Sequence, residues 1–569
     1  MFDRLLGLET EYAVRYHGAR GADRPTDREL FERLAQELSA RLPVAGADEE
    51  GCGKRGVFLA NGAAVWFESR RPASGVGLIE GSTPECRSPR DLLAHQRALD
   101  RLLSEAAADA APGEFFLVKN CRDSAGRSYG AQENYEAVLA TGWRLTLWRC
   151  GATAIMAVLA LLIVFVVLPL FLTLLLVNLL IFAIIRQVIR LMPGPIHWQQ
   201  WLSHRSWLTG HGTHPWLPAW VEALLEFGLR VALIPLAGAL SALFATTRMA
   251  RTQDRLLPFL LSRMVWAGAG WIAPDGRFHI AEKATSRNRK YVHLLVDFDR
   301  PLFGLGQFLK LCFFGLLQPH LYAQLMSERQ RMQIGIGDSN LCEEAEYLRI
   351  GATALVIEAI EAGTITTVPQ PRRWKRTLHQ ISGDSALRER IPLRDGRALT
   401  AVQIQRWYLN ACRRYVHSQP EIPEEAWDIL SRWAAVLDDL EDNPRALIGR
   451  VDWITKRFLL DEAGSELPDE ARKKIDLRYH ELSTGGYWKR LEAAGVTHAV
   501  LAPEEIERAM RLAPAGTRAA DRGRIIREFS SAGTPLVVSW SSVLVGTQRI
   551  ALPPESRGES AATPSEPVA

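Results

Sequence analysis

The feature that most constrains this chain is an internal run of 35 residues, 151–185, without one charged side chain. A single membrane-spanning helix needs only about 20 residues, and one straight helix of this length would measure roughly 52 Å against a hydrocarbon core of ~30 Å. We therefore interpret the run as membrane-embedded, either as one long tilted span or as a hairpin broken near Pro169. Arginines flank it on both sides, which suits a hairpin with both ends in the cytoplasm.

Other apolar segments follow this run. Val231–Thr247 is borderline for a span, since it is short and contains Pro235. The Trp- and His-rich segment 193–220 is typical of a membrane interface, and its histidines match no standard zinc spacing. Residues 301–325 predict an amphipathic helix lying on a surface or on the membrane. The insertion, placed at 140–254, must begin and end on one face if the flanking sequence builds a single site.

Composition limits the function of the remaining chain. The 68 basic and 64 acidic residues of the whole chain leave a net charge of +4, so a polybasic nucleic-acid binder is not expected. Seven scattered cysteines without a CxxC pair indicate neither a disulfide framework nor a structural zinc site, and they favour a reducing compartment. The N-terminus lacks the apolar region of a signal peptide, and residues 553–569 are typical of a disordered tail.

Local patterns predict an α+β fold. Alternation in RLLGLETEYAV predicts a strand with Glu9 and Glu11 on one face. Asn61-Gly62 predicts a hairpin turn. Further predicted elements are helices at Thr26–Leu42 (N-cap Thr26), Pro89–Ala108, Glu343–Gly363 and within 400–463 (core Trp407, Trp427, Trp433 and Trp453), and strands in GEFFLVKN, 332–339 and TPLVVSWSSVLVG.

Carboxylates are the residues left to carry chemistry, because P-loop, GxSxG and HExxH motifs do not occur and no GxGxxG lies in the strand–turn–helix context of a Rossmann site. Glu9 and Glu11 share a strand, Glu68 follows the hairpin, and Glu80 and Glu85 flank a Thr-Pro turn. Carboxylates projecting from a sheet suit Mg²⁺ that holds ATP phosphates. From the residues alone, solvated acidic side chains on an exposed strand face are the alternative.

An ordered set of motifs carries a family resemblance: GLETEYA (7–13), NGA (61–63), EGSTPEC (80–86), KNCRDSAGRSYGAQENY (119–135), IGDSNL (336–341), DLRYHE (476–481) and TRAADRGR (517–524). In this order they resemble the ligases of the prokaryotic ubiquitin-like protein (Pup) and their sister depupylase. The resemblance implies a glutamine-synthetase-like curved antiparallel sheet forming a cradle with helices, and a small C-terminal domain. We expect a split catalytic domain (1–139 and 255–478), the membrane insertion (140–254), a C-terminal domain (479–552) and a tail (553–569).

The resemblance also implies a reaction. ATP phosphorylates the C-terminal glutamate of a small protein modifier, and a substrate lysine attacks the acyl phosphate to give an isopeptide bond. Mg²⁺ offsets the repulsion between ATP and the carboxylate. A base is needed because a lysine with a pKa near ~10.4 is protonated at neutral pH.

Metal and base residues follow motif by motif. Glu9, Glu11 and Glu80 correspond to magnesium ligands, and Trp66 stands where the family has a tyrosine at the metal. Glu68 stands where the family has the aspartate base, and it is one methylene longer.

Nucleotide contacts are implied at three further positions. Thr83 corresponds to an ATP contact, Trp540 in the final strand to an adenine contact, and Arg518 to a phosphate contact. The alternatives are a turn residue, a core aromatic and a domain-interface ion pair, respectively.

The chain also departs from the family pattern. An arginine that contacts ATP is Ala64 here, and two histidines are Gln132 and Gln333. The 47 residues between Ala13 and Asn61 resemble the ligase, because the depupylase carries a long loop there, whereas TRAADRGR followed by SWSSV leans toward the depupylase.

Three hypotheses follow. The leading one is a membrane-associated, ATP- and Mg²⁺-dependent Pup-type ligase whose catalytic domain faces the cytoplasm and whose partners are a Pup-like modifier, lysine-bearing proteins and the lipid bilayer. The second is a depupylase or deamidase of the same fold, in which water replaces lysine. The third is a catalytically weak membrane-bound scaffold.

Overall fold

The computed structural model describes residues 3–18, 23–47, 55–69, 75–123, 127, 129–191, 219–283, 302–303, 305–464, 466–530 and 533–553. The Trp- and His-rich segment and nearly all of the predicted tail lie outside these ranges. The six cysteines within them are free thiols, in agreement with the sequence.

A single large sheet organises the molecule. Its strands are β1 (Leu6–Tyr16), β2 (Val44–Ala47), β3 (Arg55–Leu59), β4 (Ala64–Glu68), β5 (Leu78–Ser82), β6 (Phe115–Val118), β7 (Ala131–Val138), β10 (Leu302–Phe303), β11 (Arg329–Ile334), β14 (Leu536–Val538), β15 (Ser542–Val545) and β16 (Gln548–Ala551). They are ordered β10-β11-β7-β1-β5-β4-β3-β2-β14-β15-β16, and β6 pairs with the far half of β1. All of these pairs are antiparallel except β14 with β2. The remaining strands form two small hairpins: β8 (Trp271–Ile272) with β9 (Phe278–His279), and β12 (Ile391–Pro392) with β13 (Ala398–Leu399).

Helices surround this sheet. They span Asp27–Arg41, Pro89–Ala110, Trp143–Leu162, Leu168–Leu191, Ala219–Ala245, Arg248–Ser262, Met264–Ala267, Leu305–Gly315, Pro319–Leu325, Glu343–Glu361, Trp374–Gly383, Ala401–His417, Glu424–Asp442, Asp452–Glu462, Asp469–Tyr479, Tyr487–Ala493, Pro503–Arg511 and Arg518–Ser530. The mixed α/β architecture confirms the predicted class at this level.

The predicted elements occur close to their expected positions. Thr26 caps the first helix, and it forms a capping box with Glu29 that satisfies otherwise orphaned backbone donors. Gly62 adopts φ 87° in the turn between β3 and β4, which is the left-handed conformation that Asn-Gly turns require. Of the four tryptophans placed in the helical core, Trp433 and Trp453 are buried, whereas Trp427 is exposed, so that assignment was wrong for Trp427.

The central strand separates a packed face from an open face. Alternate residues of β1 are buried (Leu6, Leu8, Thr10 and Tyr12), and the intervening Gly7, Glu9 and Glu11 are only partly buried. Helix Pro89–Ala110 packs on the buried side, where Tyr12 donates a hydrogen bond to Asp100 over 2.7 Å. Because side chains alternate along a strand, Glu9 and Glu11 both project from the open face.

The C-terminal strands continue the main sheet. β14 pairs in parallel with β2, at Val537 with Gly46, and β15 and β16 follow it outward. Helix Arg518–Ser530 buries Ile525 and Ile526 against Phe58 of β3. The segment predicted as a small domain (479–552) therefore shares its strands with the catalytic sheet.

The uncharged run forms one continuous helical path rather than breaking at Pro169. A π-helical turn at Ile163–Val167 joins the flanking helices, and Leu168 donates its N–H to Ile163 five residues earlier. Pro169 follows this π-helical turn directly and does not end the helix, so the structure agrees with the continuous helix of the first alternative and not with a break near Pro169. By length and composition alone, one helix of the described residues, Trp143–Ile181, could cross a bilayer.

The base of the insertion packs against the rest of the protein. Trp148 lies 4.9 Å from Phe308 between ring centroids, and Phe308 also contacts Phe244 of the returning helix. Helices Leu305–Gly315 and Pro319–Leu325 thus lie on the insertion's base, with Phe308 and Leu311 buried and Phe313 and Leu317 exposed, as expected of an amphipathic segment on a protein surface.

Both ends of the insertion meet at one backbone position. The Leu139 carbonyl accepts hydrogen bonds from the N–H groups of Arg248 at 2.8 Å and Met249 at 3.1 Å. The chain therefore leaves the sheet after β7 and returns to the same point. This satisfies the requirement that the insertion begin and end on one face.

Candidate active site

Strand pairing aligns the polar residues of the open face. β1 and β5 pair Glu11 with Glu80, and β5 and β4 pair Glu80 with Trp66. On the other side, β1 and β7 pair Glu9 with Gln132. Since residues opposite one another in antiparallel strands share a face, these five side chains lie on the same face of the sheet. Glu11, Glu80 and Trp66 form one line across the strands, and Glu9 and Gln132 form the next line two residues away; together they are called the carboxylate row.

Three carboxylates on this face converge: two from the row, and Glu68, which lies two residues along β4 from Trp66. Glu11, Glu68 and Glu80 each offer a carboxylate oxygen, and these oxygens lie within 4.8 Å of one another. The Gly130 N–H donates to Glu11, and a Cβ at position 130 would lie 2.8 Å from a Glu11 oxygen. An all-oxygen, anionic donor set is the one that Mg²⁺ prefers, so these residues fit a hard divalent cation.

The three carboxylates that converge are not the three that were predicted as magnesium ligands. Glu11 and Glu80 lie together as expected, but the third carboxylate is Glu68, which was assigned to the base. Glu9 belongs to a separate cluster. The Trp66 indole has only an N–H donor, so it can form a wall beside Glu80 but cannot donate an electron pair to a metal ion.

Glu9 is surrounded by nitrogen donors. Arg331 approaches one of its oxygens to 3.0 Å, and Asn134 donates to the same oxygen at 3.2 Å. Gln333 donates to the other oxygen at 3.2 Å and also to Gln132. The two glutamines that replace the family's histidines therefore meet at Glu9. Sequence reasoning missed Arg331, although its alternation with Gln333 along β11 was the available signal.

An aromatic row extends from the carboxylates toward the C-terminus. Trp66 and Phe58 lie 5.7 Å apart between ring centroids, and Phe58 and Trp540 lie 5.0 Å apart, both edge to face. Trp66 covers Gly56, where a Cβ would lie 2.3 Å from the indole. Trp540 lies in the turn between β14 and β15 rather than in a strand. This row provides apolar surface beside the carboxylates.

Arg522, not Arg518, is the arginine of TRAADRGR that reaches this row. It is fully buried, pairs with Glu85 at 2.7 Å and lies 4.9 Å from the centroid of the Trp540 ring. Arg518 donates to the Pro553 carbonyl at 2.8 Å on an exposed surface. Its predicted phosphate contact has no support from this position. The helix period, which aligns Arg522 with Ala519 and Ile526, could have identified the buried arginine.

Thr83 is part of the sheet's framework. Its hydroxyl is buried and accepts the Leu8 N–H at 3.0 Å, while its own N–H donates to the Leu8 carbonyl at 2.9 Å. These bonds extend the pairing of β1 beyond the end of β5. The turn-residue alternative describes this position better than a direct ATP contact.

Ala64 lies under the C-terminal helix. It is buried opposite Phe58 and Ser82 on the neighbouring strands. The arginine that the family carries here is thus absent, and Arg522, whose guanidinium lies 5.1 Å from the Phe58 ring centroid, is the nearby cationic group.

Motifs below the open face build a buried polar support. Asp338 of IGDSNL accepts three backbone N–H groups, from Ala269, Glu282 and Lys283, at 2.8–2.9 Å. Glu282 in turn accepts the Cys121 N–H at 2.8 Å. Burial, together with the nearby Asp476, raises the pKa of Glu282 to about 8. These contacts join three distant parts of the chain beneath the site.

DLRYHE belongs to the same support. Asp476 binds Lys456 and Lys473, each at 2.7 Å, and accepts the Ile272 N–H at 3.1 Å. The two ammonium groups hold the pKa of Asp476 down, to about 2, against the effect of burial. The motif therefore fixes segments of the framework and contributes no group to the carboxylate row.

Comparison with known proteins agrees with this geometry. The family model described as "Pup-ligase protein" matches residues 4–544. The Pup–protein ligase of Acidimicrobium ferrooxidans is 27% identical over 562 residues, which are 96% of this chain and 93% of the relative. A depupylase of Acidothermus cellulolyticus is also 27% identical, over 87% of this chain and 76% of its own length.

Solved structures share the fold. The Pup ligase PafA in complex with Pup matches 98% of this chain and 90% of its own chain, with a TM-score of 0.65 and 21% identity. PafA in complex with ADP matches 96% of this chain and 93% of its own chain, with a TM-score of 0.58 and 21% identity.

Proposed function

This chain belongs to the Pup-ligase family, and we propose from this that it is an ATP- and Mg²⁺-dependent ligase that joins the C-terminal glutamate of a Pup-like modifier to substrate lysines. The observation that carries the proposal is the convergence of Glu11, Glu68 and Glu80 on the open face. Relatives named as Pup–protein ligases, and a related structure named as an ADP complex, support the same reaction.

The reaction needs negative charge to be neutralised. The γ-phosphoryl group passes from ATP to a carboxylate oxygen, and ADP leaves. Mg²⁺ held by Glu11, Glu68 and Glu80 would supply the Lewis acid that draws the two anions together. The amine nitrogen then attacks the carbonyl carbon. The bond between that carbon and the phosphate oxygen breaks, phosphate leaves with the electron pair, and the nitrogen gives up a proton.

We propose a place for each reactant along the row of side chains. Trp66, Phe58 and Trp540 offer a surface for an aromatic base at the C-terminal end of the row. The carboxylates in the middle suit the metal and the phosphates. Arg331 lies at the opposite end of the row from Trp540. We propose that the modifier's carboxylate binds there, because a guanidinium can donate two hydrogen bonds to a carboxylate.

A direct test uses the full-length, detergent-solubilised protein with Mg²⁺, ATP and Pup ending in glutamate. We expect ATP turnover that rises with Pup and conjugates that form on lysine-bearing protein, both abolished by Glu80→Gln. Pup ending in glutamine serves as the matched control because it has no γ-carboxylate to activate. Nucleotide binding without turnover in wild type would overturn the ligase proposal and favour the scaffold.

The role of Glu68 can be tested separately. The resemblance implies that it removes the proton from the attacking lysine, whereas its position beside Glu11 and Glu80 favours the metal-ligand role proposed above. Hydroxylamine, an amine that is neutral at pH 7, traps an acyl phosphate without needing a base. If Glu68 is the base, Glu68→Gln blocks lysine conjugation but still forms hydroxamate; loss of both products shows that the residue serves the metal instead.

A depupylase is the second candidate, because the depupylase relative is as similar in sequence as the ligase relative. Water would then take the place of lysine at the same carbonyl. Incubation with a preformed Pup conjugate separates the two activities: release of Pup without net conjugation favours the hydrolase.

We also propose that the insertion attaches the enzyme to a lipid bilayer with its catalytic part on the cytoplasmic side. Large apolar side chains are exposed along the helical path from Leu161 to Ile184. The helix Leu168–Leu191 alone is roughly 36 Å long, which exceeds the hydrocarbon thickness of ~30 Å. The common anchor at Leu139 is compatible with a hairpin that enters and leaves on one side.

The domain division remains part of this proposal. Residues 1–139 and 255–478 would carry the reaction and 140–254 the attachment, and 479–552 would contribute Trp540 to the nucleotide site.

A further inference from the structure

The Glu9 end of the carboxylate row differs in kind from its centre. Both carboxylate oxygens of Glu9 contact nitrogen donors: Arg331 at 3.0 Å and Asn134 at 3.2 Å on one oxygen, and Gln333 at 3.2 Å on the other. At the centre, by contrast, three carboxylates converge. Two neighbouring positions on β1 thus face opposite electrostatic surroundings.

A divalent cation does not fit at Glu9. It would have to lie beside a permanently charged guanidinium, and like charges at such short range repel strongly in a partly desolvated site. It would also displace amide N–H donors from both oxygens. The Gln333 amide further donates to Gln132, so these side chains hold one another in this arrangement.

Arg331 has donors to spare. Its contact with Glu9 uses one terminal nitrogen, whereas a guanidinium carries five N–H donors. Its side chain is 43% exposed, and pairing with β7 places it on the open face beside Glu136. The group is therefore both oriented by Glu9 and accessible to an anion that enters along the row.

We infer that this protein holds a single divalent cation, at Glu11, Glu68 and Glu80, and that Arg331, oriented by Glu9, provides the second positive centre and binds the anionic oxygens of the modifier's carboxylate. The inference rests on the proposed function for the identity of that anion. The number of cations is independent of it.

Counting Mn²⁺ tests the first part. Mn²⁺ is titrated into the full-length protein without nucleotide or modifier, and bound ions are counted by electron paramagnetic resonance. We expect one ion per chain in wild type, none in Glu80→Gln, and one in Glu9→Gln. A second ion in the double variant Arg331→Met/Gln333→His would support the inference, because it removes the guanidinium and supplies a ligand. Two ions in wild type, one of them lost in Glu9→Gln, would overturn it.

The second part is tested with Pup as the varied substrate. Arg331→Lys keeps the charge but loses the planar fork, so we expect KM for Pup to rise about tenfold, with KM for ATP and the Mn²⁺ count unchanged. An unchanged KM for Pup would overturn the assignment of Arg331. The Mn²⁺ count requires no turnover, so a failure of this inference remains distinguishable from a failure of the ligase proposal.

Discussion

At the scale of single residues, Gly130 controls the position of the Glu11 carboxylate, which lies directly beside it on β1. Its N–H donates to Glu11, and a Cβ there would come within 2.8 Å of the Glu11 carboxylate. We expect Gly130→Ala to displace that carboxylate and to weaken Mn²⁺ binding about tenfold. Thermal unfolding should change little, because the displaced atoms belong to the end of a flexible side chain.

The matched control for this substitution is Gly383→Ala. A Cβ at Gly383 would meet no atom within 4 Å, and its φ is not positive. Equal Mn²⁺ affinity in wild type and Gly130→Ala would contradict the assignment of Glu11 to the metal site.

Arg522 is a second residue whose change has a defined cost. It is buried, pairs with Glu85 and lies against Trp540. Removing one partner of a buried ion pair leaves the other charge uncompensated, so we expect Arg522→Met to lower the free energy of unfolding by about 3 kcal/mol. Urea unfolding measures this. The double variant Arg522→Met/Glu85→Gln should recover part of the loss, and no recovery would mean that the ion pair is not the cause.

At this scale, the sequence predicted the position of a side chain correctly where the position depends on a single strand. A two-residue period was enough to place Glu9 and Glu11 on one face of β1. It could not separate their roles, because Arg331 and Gln333 reach Glu9 from β11, across β7, and are more than 300 residues distant in sequence. Arg518 was chosen over Arg522 for a different reason: the motif string alone does not show which arginine faces the sheet, and the helix period, which aligns Arg522 with Ala519 and Ile526, was not applied to it.

At the scale of elements, the motifs IGDSNL, KNCRDSAG and DLRYHE act as a buried connection among loops. Asp338 holds the segment that contains Glu282, which binds the backbone at Cys121. As motifs, these strings predicted the family. Their physical role was not predictable from the sequence, because charged residues at such spacing are equally compatible with an open site.

This connection should respond to pH. The pKa of Glu282 is raised to about 8, chiefly by burial, so the folded protein binds a proton that the unfolded chain releases near its ordinary value. The contribution to stability is complete below the unfolded pKa and is lost as pH rises toward 8. We expect Glu282→Gln, which is uncharged throughout, to be progressively more stable relative to wild type between pH 5 and pH 9.

Urea unfolding of both proteins at several pH values checks this prediction. Other titrating groups are common to the two proteins, so the difference between the curves isolates Glu282. A difference that does not vary with pH would show that Glu282 has the same proton affinity in the folded and unfolded chains.

At the scale of the whole molecule, the sheet and the insertion obey different constraints. The family motifs occur in a fixed order along the chain, so the order of the strands and helices that contain them could be predicted from the sequence. The insertion's composition predicted an apolar helical segment, but composition could not show that Trp148 and its neighbours would pack against helix Leu305–Gly315. The apolar run is thus divided between a packed base and an exposed continuation.

The exposed continuation gives a prediction about attachment. Leu176, Leu179 and Leu180 lie beyond the packed base, with 66%, 54% and 60% of their surface exposed. A lysine near the centre of a spanning helix costs about 2.5–3.5 kcal/mol on insertion scales. We therefore expect the triple lysine variant to lose carbonate-resistant association with phosphatidylcholine–phosphatidylglycerol vesicles, as measured by flotation.

Leu512→Lys is the matched control, because Leu512 is a similarly exposed leucine, at 48%, on the catalytic part of the molecule. It should float as wild type does.

If the triple variant also floats, the exposed leucines do not contact lipid. If wild type itself does not float, the apolar surface is covered by protein. In either case the insertion would extend the enzyme's protein contacts rather than fix the enzyme at a bilayer. The substrate proteins whose lysines accept the modifier would then not be confined to the membrane surface. Flotation lost only in the triple variant would place the reaction within reach of the bilayer, because the insertion starts from the strand that carries Gln132 and Asn134.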